Sequence, residues 1–158
     1  MISFDSQNSF ELSRPEHWEL WLNTVVEQEG YVVGDLGYVF CDDNFLLKIN
    51  QEFLNHDTFT DIITFGGNVG KTVNGEIYIS TERVMDNSKT YGVRFDLELS
   101  RVMVHGVLHL CGYNDKTDQE AHKMRAREDY WLESLNNWKP VFYNCFTWNI
   151  SLWIRIMM

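Results

Sequence analysis

His105 and His109 stand four residues apart in the apolar run Val104-His105-Gly106-Val107-Leu108-His109-Leu110. On a helix that spacing projects both imidazoles from one face, about one turn apart. Gly112 follows as a helix stop, since glycine accepts the left-handed conformation that ends a helix. Asp115 comes after it, where the returning chain can aim a carboxylate at the same point. Two imidazoles and one carboxylate suffice as the protein shell of a catalytic zinc, one per chain, with an open position for water. The alternative is a pair of helix-face histidines satisfied by their neighbours; the four-residue spacing, the glycine and the aspartate together favour the metal. Of the side chains just after Gly112, the Asp115 carboxylate binds zinc better than the neutral Asn114 amide, so Asp115 is the expected third ligand, apart from a role for the Tyr113 phenol.

Such a centre is hydrolytic, because the ion lowers the pKa of water towards neutrality. Asp115 in place of a third neutral imidazole adds a negative charge and makes that water somewhat less acidic. In peptidases of the His-Glu-x-x-His type the residue after the first histidine is the glutamate base. Here it is Gly106, so peptide hydrolysis is disfavoured and the proton acceptor must come from elsewhere. Phosphodiester cleavage needs less: charge on the phosphoryl oxygens is stabilised while a water or hydroxyl attacks in line.

The elements that must position these groups can be read along the chain. Ile2 to Asn8 alternates weakly, as a first strand. Ser13-Arg14-Pro15-Glu16 has the form of a capping box opening a helix, with Trp18, Trp21, Leu22, Val25 and Val26 as its core stripe and Gly30 as its end. Tyr31 to Cys41 holds a strand centred on Tyr38. Asp42 or Asp43 caps a helix to about Leu54, with Phe45, Leu46, Ile49 and Phe53 inward. Asp61-Ile62-Ile63-Thr64-Phe65 and Gly75-Glu76-Ile77-Tyr78-Ile79-Ser80 are strands, the second preceded by Asn74-Gly75 as turn chemistry. Ser80 or Thr81 starts a helix to about Tyr91. Asp96 is the candidate N-cap of the histidine helix, on whose face Arg101 and Glu98 are either partners of the site or a solvated pair. Thr117-Asp118-Gln119-Glu120 is a second capping box, opening a helix to about Leu135 with Ala121, Met124, Trp131, Leu132 and Leu135 as its apolar side.

The chain has 158 residues, 44 % of them apolar and 15 % aromatic, which is one domain with a real core. That domain is expected over 1–139. After Pro140 the composition changes: Val141 to Met158 carries one charge, Arg155, and reads as an apolar appendage (140–158) that is docked or exposed and not a membrane anchor. The N-terminus has neither a basic start nor an apolar run. Cys41, Cys111 and Cys145 make a poor disulfide framework, and together these features point to a reduced, cytoplasmic setting. A net charge of −10 argues against broad nucleic-acid binding but leaves room for a local basic patch. Lys116, Lys123, Arg125 and Arg127 form the candidate patch, next to the metal.

His105-Gly106-x-x-His109-Leu110-x-Gly112-Tyr113, with Glu120 and Met124 after it, resembles the signature of the YbeY endoribonucleases, or rRNA maturation factors. Thr60-Asp61-Ile62-Ile63-Thr64-Phe65 resembles that family's Thr-Asp-Val-Leu-Ser-Phe segment, and Gly75-Glu76-Ile77-Tyr78-Ile79-Ser80 its Gly-Asp-Ile strand. The resemblance covers roughly 15–135. It implies an α/β fold of the α+β type, with a small mixed β-sheet of about four strands flanked by helices and the zinc site on a central helix and the following turn. It also implies zinc-dependent cleavage of single-stranded RNA, maturation of the 16S rRNA 3′ end, ribosome quality control, and the small ribosomal subunit as partner. The family reads Tyr-Asp-His where this chain has Tyr113-Asn114-Asp115, so Asp115 takes the third imidazole's place. It also has an arginine where this chain has Leu54, a position for which His56, Arg101 or Lys116 are the substitutes. Two rival readings stand beside the nuclease: a ribosome assembly factor with a structural metal and little nuclease activity, and a metallohydrolase of another substrate.

Overall fold

The computed structural model describes residues 1–137; the expected appendage at 140–158 and Cys145 lie outside them. The described residues form β1 (Ile2–Ser6), α1 (Pro15–Gln28), β2 (Val32–Cys41), α2 (Asp43–Leu54), β3 (Ile62–Gly66), β4 (Thr72–Ser80), α3 (Thr81–Tyr91), α4 (Phe95–Leu110) and α5 (Asp118–Asn137). The four strands make one sheet in the order β1-β2-β4-β3. β1, β2 and β4 run parallel, and β3 closes the edge antiparallel to β4. This is the mixed, helix-flanked α+β sheet that the resemblance implies.

Strand alternation sorts the two faces. Leu36, Tyr38, Phe40, Ile77 and Ile79 point to the main core, shared with Trp21, Leu22 and Val25 of α1 and with the buried stripe of α4. Cys41, Ile63, Phe65 and Tyr78 point the other way, towards Leu46 and Ile49 of α2. α4 is the buried centre, touching α1, α3, α5, β3 and β4. It is pinned to the sheet by the Tyr38 hydroxyl, which donates to the Met103 carbonyl at 2.9 Å. At Gly106 the helix comes so close to the sheet that a Cβ would lie 3.0 Å from Ile62 Cδ1 and from Ile77 Cδ1 and Cγ2.

Several local expectations are corrected. The Ser13–Glu16 box does not form: Arg14 is the N-cap, in a left-handed conformation, with no side-chain cap. Pro15 starts the helix with its preset φ, and the Ser13 carbonyl instead accepts the Trp18 indole N–H at 3.1 Å. Asp96 lies inside α4, whose N-cap is Arg94. Asn74-Gly75 falls within β4, where Gly75 sits against the Phe65 carbonyl across the ladder and leaves no room for a Cβ. Phe53 is 67 % exposed, meeting the Phe65 ring edge-on at 5.7 Å. Ala121 is exposed, and its stripe is carried by Met124, Trp131 and Leu132. No described helix is long and apolar enough to cross a membrane.

Candidate metal centre

α4 ends as its sequence requires. Gly112, at φ +94°, donates its N–H to the His109 carbonyl, and Tyr113 donates to the Leu108 carbonyl, both at 3.0 Å. This is the paired-bond glycine stop that reverses a chain. The reversal turns the Tyr113 carbonyl back onto His109 Nδ1 at 2.9 Å. The Thr117 box then fixes the far side of the turn: Glu120 N–H donates to Thr117 Oγ1, and Thr117 N–H to Glu120 Oε2, each at 3.1 Å. Between these two anchors Asp115 swings over the imidazoles.

His105 Nε2 and His109 Nε2 lie 2.9 Å apart, and Asp115 Oδ2 is 3.4 Å from the first and 3.3 Å from the second. All three donor atoms fall within 4.8 Å of one another. Asn114 goes elsewhere, into a small hollow beside Glu120 and Lys123. Each imidazole is held from behind by a group that can only accept. His105 Nδ1 donates to Glu128 Oε1 at 2.7 Å, and His109 Nδ1 to the Tyr113 carbonyl. In the neutral rings both Nε2 atoms therefore present lone pairs, facing each other and a carboxylate. Three acceptors pointed at one spot repel unless a cation lies among them, and their types suit zinc. The ring backed by a carboxylate is His105, which holds a proton more tightly than an ordinary imidazole. Burial pulls this group's pKa down, but the Glu128 hydrogen bond and charge outweigh burial and leave it raised.

Glu128 is the site residue that sequence reasoning missed. It is buried on α5, and it accepts from Arg101 at 2.9 Å through its second oxygen. Burial raises its pKa, yet His105 and Arg101 outweigh that and hold the carboxyl below the ordinary range. Arg101 also pairs with Asp129 at 2.8 Å. The readable signal was a charge at the inward position of α5, one turn after Met124 and just before Trp131 and Leu132, in an otherwise apolar stripe. A second carboxylate, Glu29, clamps the same end of the molecule. It accepts from the Tyr113 hydroxyl at 3.0 Å, from the Trp131 indole at 2.8 Å, and from Arg127.

The centre opens on a cleft of about 840 Å³ bordered by Leu54, His56, Phe59, Asp61 and Lys116. The four cations of the expected patch have different surroundings. Lys116 borders this cleft, Lys123 the hollow by Asn114, and Arg125 a further hollow behind His105. Arg127 is engaged with Glu29 and packs over the Tyr130 ring at 4.5 Å. His56 and Lys116 share the cleft with Leu54, whereas Arg101 is committed to the two acids of α5. Glu98 is buried at that further hollow, and its burial pushes its carboxyl pKa up.

A family model described as Endoribonuclease YbeY matches residues 3–136. The chain is 48 % identical over 128 residues to the Endoribonuclease YbeY of Christiangramia forsetii, covering 81 % of this chain and 90 % of that protein. To the protein of that name from Flavobacterium johnsoniae it is 48 % identical over 129 residues, covering 82 % and 93 %. The solution structure of TM1509 from Thermotoga maritima superposes with a TM-score of 0.61 at 26 % identity, covering 87 % of this chain and 90 % of that one.

Proposed function

This chain belongs to the YbeY endoribonuclease family, and from that premise we propose that it is a zinc-dependent endoribonuclease specific for single strands. We place its work in rRNA processing at the 16S 3′ end and in ribosome quality control, with the small subunit as partner. The observation that carries this reading is the convergence of His105 Nε2, His109 Nε2 and Asp115 Oδ2, with both Nδ1 atoms already tied to acceptors. A zinc ion held there would supply Lewis acidity beside a phosphodiester and acidify water.

The chain's own residues do the rest. Glu128 and the Tyr113 carbonyl keep the imidazole lone pairs aimed at the point where these residues would hold an ion. Asp115 contributes a negative charge to the shell. Gly106 is turned into the sheet, so no side chain from the position after His105 can act on a peptide bond. The open cleft beside the centre admits a flexible strand, and Lys116 at its border attracts phosphate.

The test is zinc content of the purified protein and cleavage of a single-stranded RNA, before and after chelation, for wild type, His105→Ala and His109→Ala. The expected result is about one zinc per chain and chelator-sensitive cleavage in wild type, with both lost in the variants, because two ligands are too small a shell. A variant that keeps its zinc would place the site elsewhere. Leu54 at the family's arginine position and the net charge of −10 favour one rival, an assembly factor with a structural metal. That rival would show ribosome association surviving loss of the metal ligands.

A further inference from the structure

Asp61, Ile62, His105 and Asp115 border two hollows at once. The larger is the cleft of about 840 Å³; the smaller, of about 300 Å³, shares these four residues and reaches Asn87, Tyr91 and Arg125. His105 and Asp115 therefore stand on a saddle shared by two hollows, while His109 borders the larger one. The smaller hollow matches the low end of ligand cavities, about 300 Å³, and is sized for one small ligand unit.

Two of its walls have the chemistry of a nucleotide. Tyr91 closes α3 and is 61 % exposed. Arg125 is 58 % exposed and touches Glu128 at a long 3.4 Å, while Arg101 and His105 meet the same carboxylate at 2.9 and 2.7 Å. The Arg125 guanidinium is thus loosely engaged beside the centre, whereas Lys123 and Arg127 are directed elsewhere.

We propose that single-stranded RNA lies across both hollows with its scissile phosphate on the saddle. The smaller hollow is then a one-nucleotide subsite in which Tyr91 stacks the base and Arg125 meets the phosphate. The proposal rests on the reading of this chain as a nuclease of single strands. Only an unpaired, splayed base offers its face to an aromatic ring, and arginine suits phosphate oxygens, so the subsite also selects against duplex.

The experiment uses the zinc-loaded full chain and a fluorescein-labelled single-stranded RNA, with binding read by anisotropy before turnover and KM and kcat read on the same RNA. Melting curves establish that each variant is folded. Tyr91→Ala is expected to weaken binding about tenfold, and Tyr91→Trp to restore it. Arg125→Gln is expected to weaken binding and flatten the slope of log affinity against log salt by about 0.7, while Lys123→Gln leaves both unchanged. Shortening the RNA by the nucleotide on that side of the cut should erase the Tyr91→Ala effect. Wild-type affinity in folded Tyr91→Ala and Arg125→Gln, an equal loss in Lys123→Gln, or a Tyr91→Ala effect that persists on every shortened RNA overturns the subsite while leaving the nuclease standing. A wild-type protein that neither binds nor cleaves single-stranded RNA overturns both.

Discussion

The two imidazoles of the centre are supported unequally. His109 rests on a neutral backbone carbonyl, whereas His105 rests on a buried carboxylate that is itself paired with Arg101. A charged partner makes the ring a more basic ligand and fixes its tautomer. Glu128 is therefore expected to matter to the metal although it does not touch it. Glu128→Gln keeps the shape and the accepting oxygen but removes the charge; the zinc dissociation constant should rise about 10–100-fold in chelator competition. An unchanged constant would reduce Glu128 to a packing role. Asp115→Asn is the complementary variant: losing an ionised ligand should cost at least about tenfold in zinc affinity, and Asn114→Ala should cost nothing. If zinc is instead lost from Asn114→Ala and kept by Asp115→Asn, the third ligand has been misassigned. Cys41 and Cys111 present the opposite case. Burial, the leading cause, pushes both thiols up to about 12, so alkylation of the native protein at pH 8 should leave both unlabelled in peptide maps and denaturation should expose them.

At the scale of elements, the depth of α4 in the sheet decides where the imidazoles stand, and Gly106 sets that depth. Gly106→Val would drive methyl groups into Ile62 and Ile77, which are already 3.0 Å from the position of a Cβ. Overpacking of this kind costs about 1–3 kcal/mol, so the melting temperature should fall by several degrees and zinc affinity with it as the helix lifts. A variant that melts like wild type would show that the helix can shift freely. The parts of this arrangement legible in the sequence were those written locally. The histidine spacing, the Gly112 stop and the Thr117–Glu120 box each involve residues within one or two turns, and each is found as predicted. What depends on a distant partner was not legible. Glu128 becomes part of the site only because α5 crosses α4 at His105, and the apolar stripe of α5 concealed it. The basic run is spread around its helix for a geometric reason. Residues two apart on a helix are about 200° apart around its axis, so Lys123 and Arg125 look in different directions, and Arg127 is drawn to Glu29 by tertiary packing. The Ser13–Glu16 box does not form because Pro15 opens the helix and the N-cap falls on Arg14, not Ser13.

At the scale of the whole molecule, the charges buried at the centre make stability depend on pH in a way that the metal should reverse. Without metal, His105 has its pKa raised above the ordinary 6.5 and Glu128 has its own lowered below the ordinary 4.5. A raised folded pKa contributes stability that is fully present below the unfolded value and is lost as pH rises through the folded one. A lowered folded pKa contributes stability that is fully present above the unfolded value and is lost as pH falls through the folded one. Both contributions are therefore complete only between about pH 4.5 and pH 6.5. As pH rises beyond that window His105 gives up its proton, and three acceptors are left facing one another around an empty point. The metal-free protein is accordingly expected to melt at a lower temperature at pH 8 than at pH 6. Zinc takes the proton's place and needs His105 neutral, so its stabilisation should grow over the same interval. Melting curves at pH 6 and pH 8, with saturating zinc and with chelator, for wild type and Glu128→Gln, check the sign. The chelated wild type should fall with pH, the zinc-loaded protein should hold or rise, and Glu128→Gln should lose most of the difference. A chelated protein that is more stable at pH 8 would show that His105 is already neutral at pH 6 and that Glu128 does not hold a proton on it.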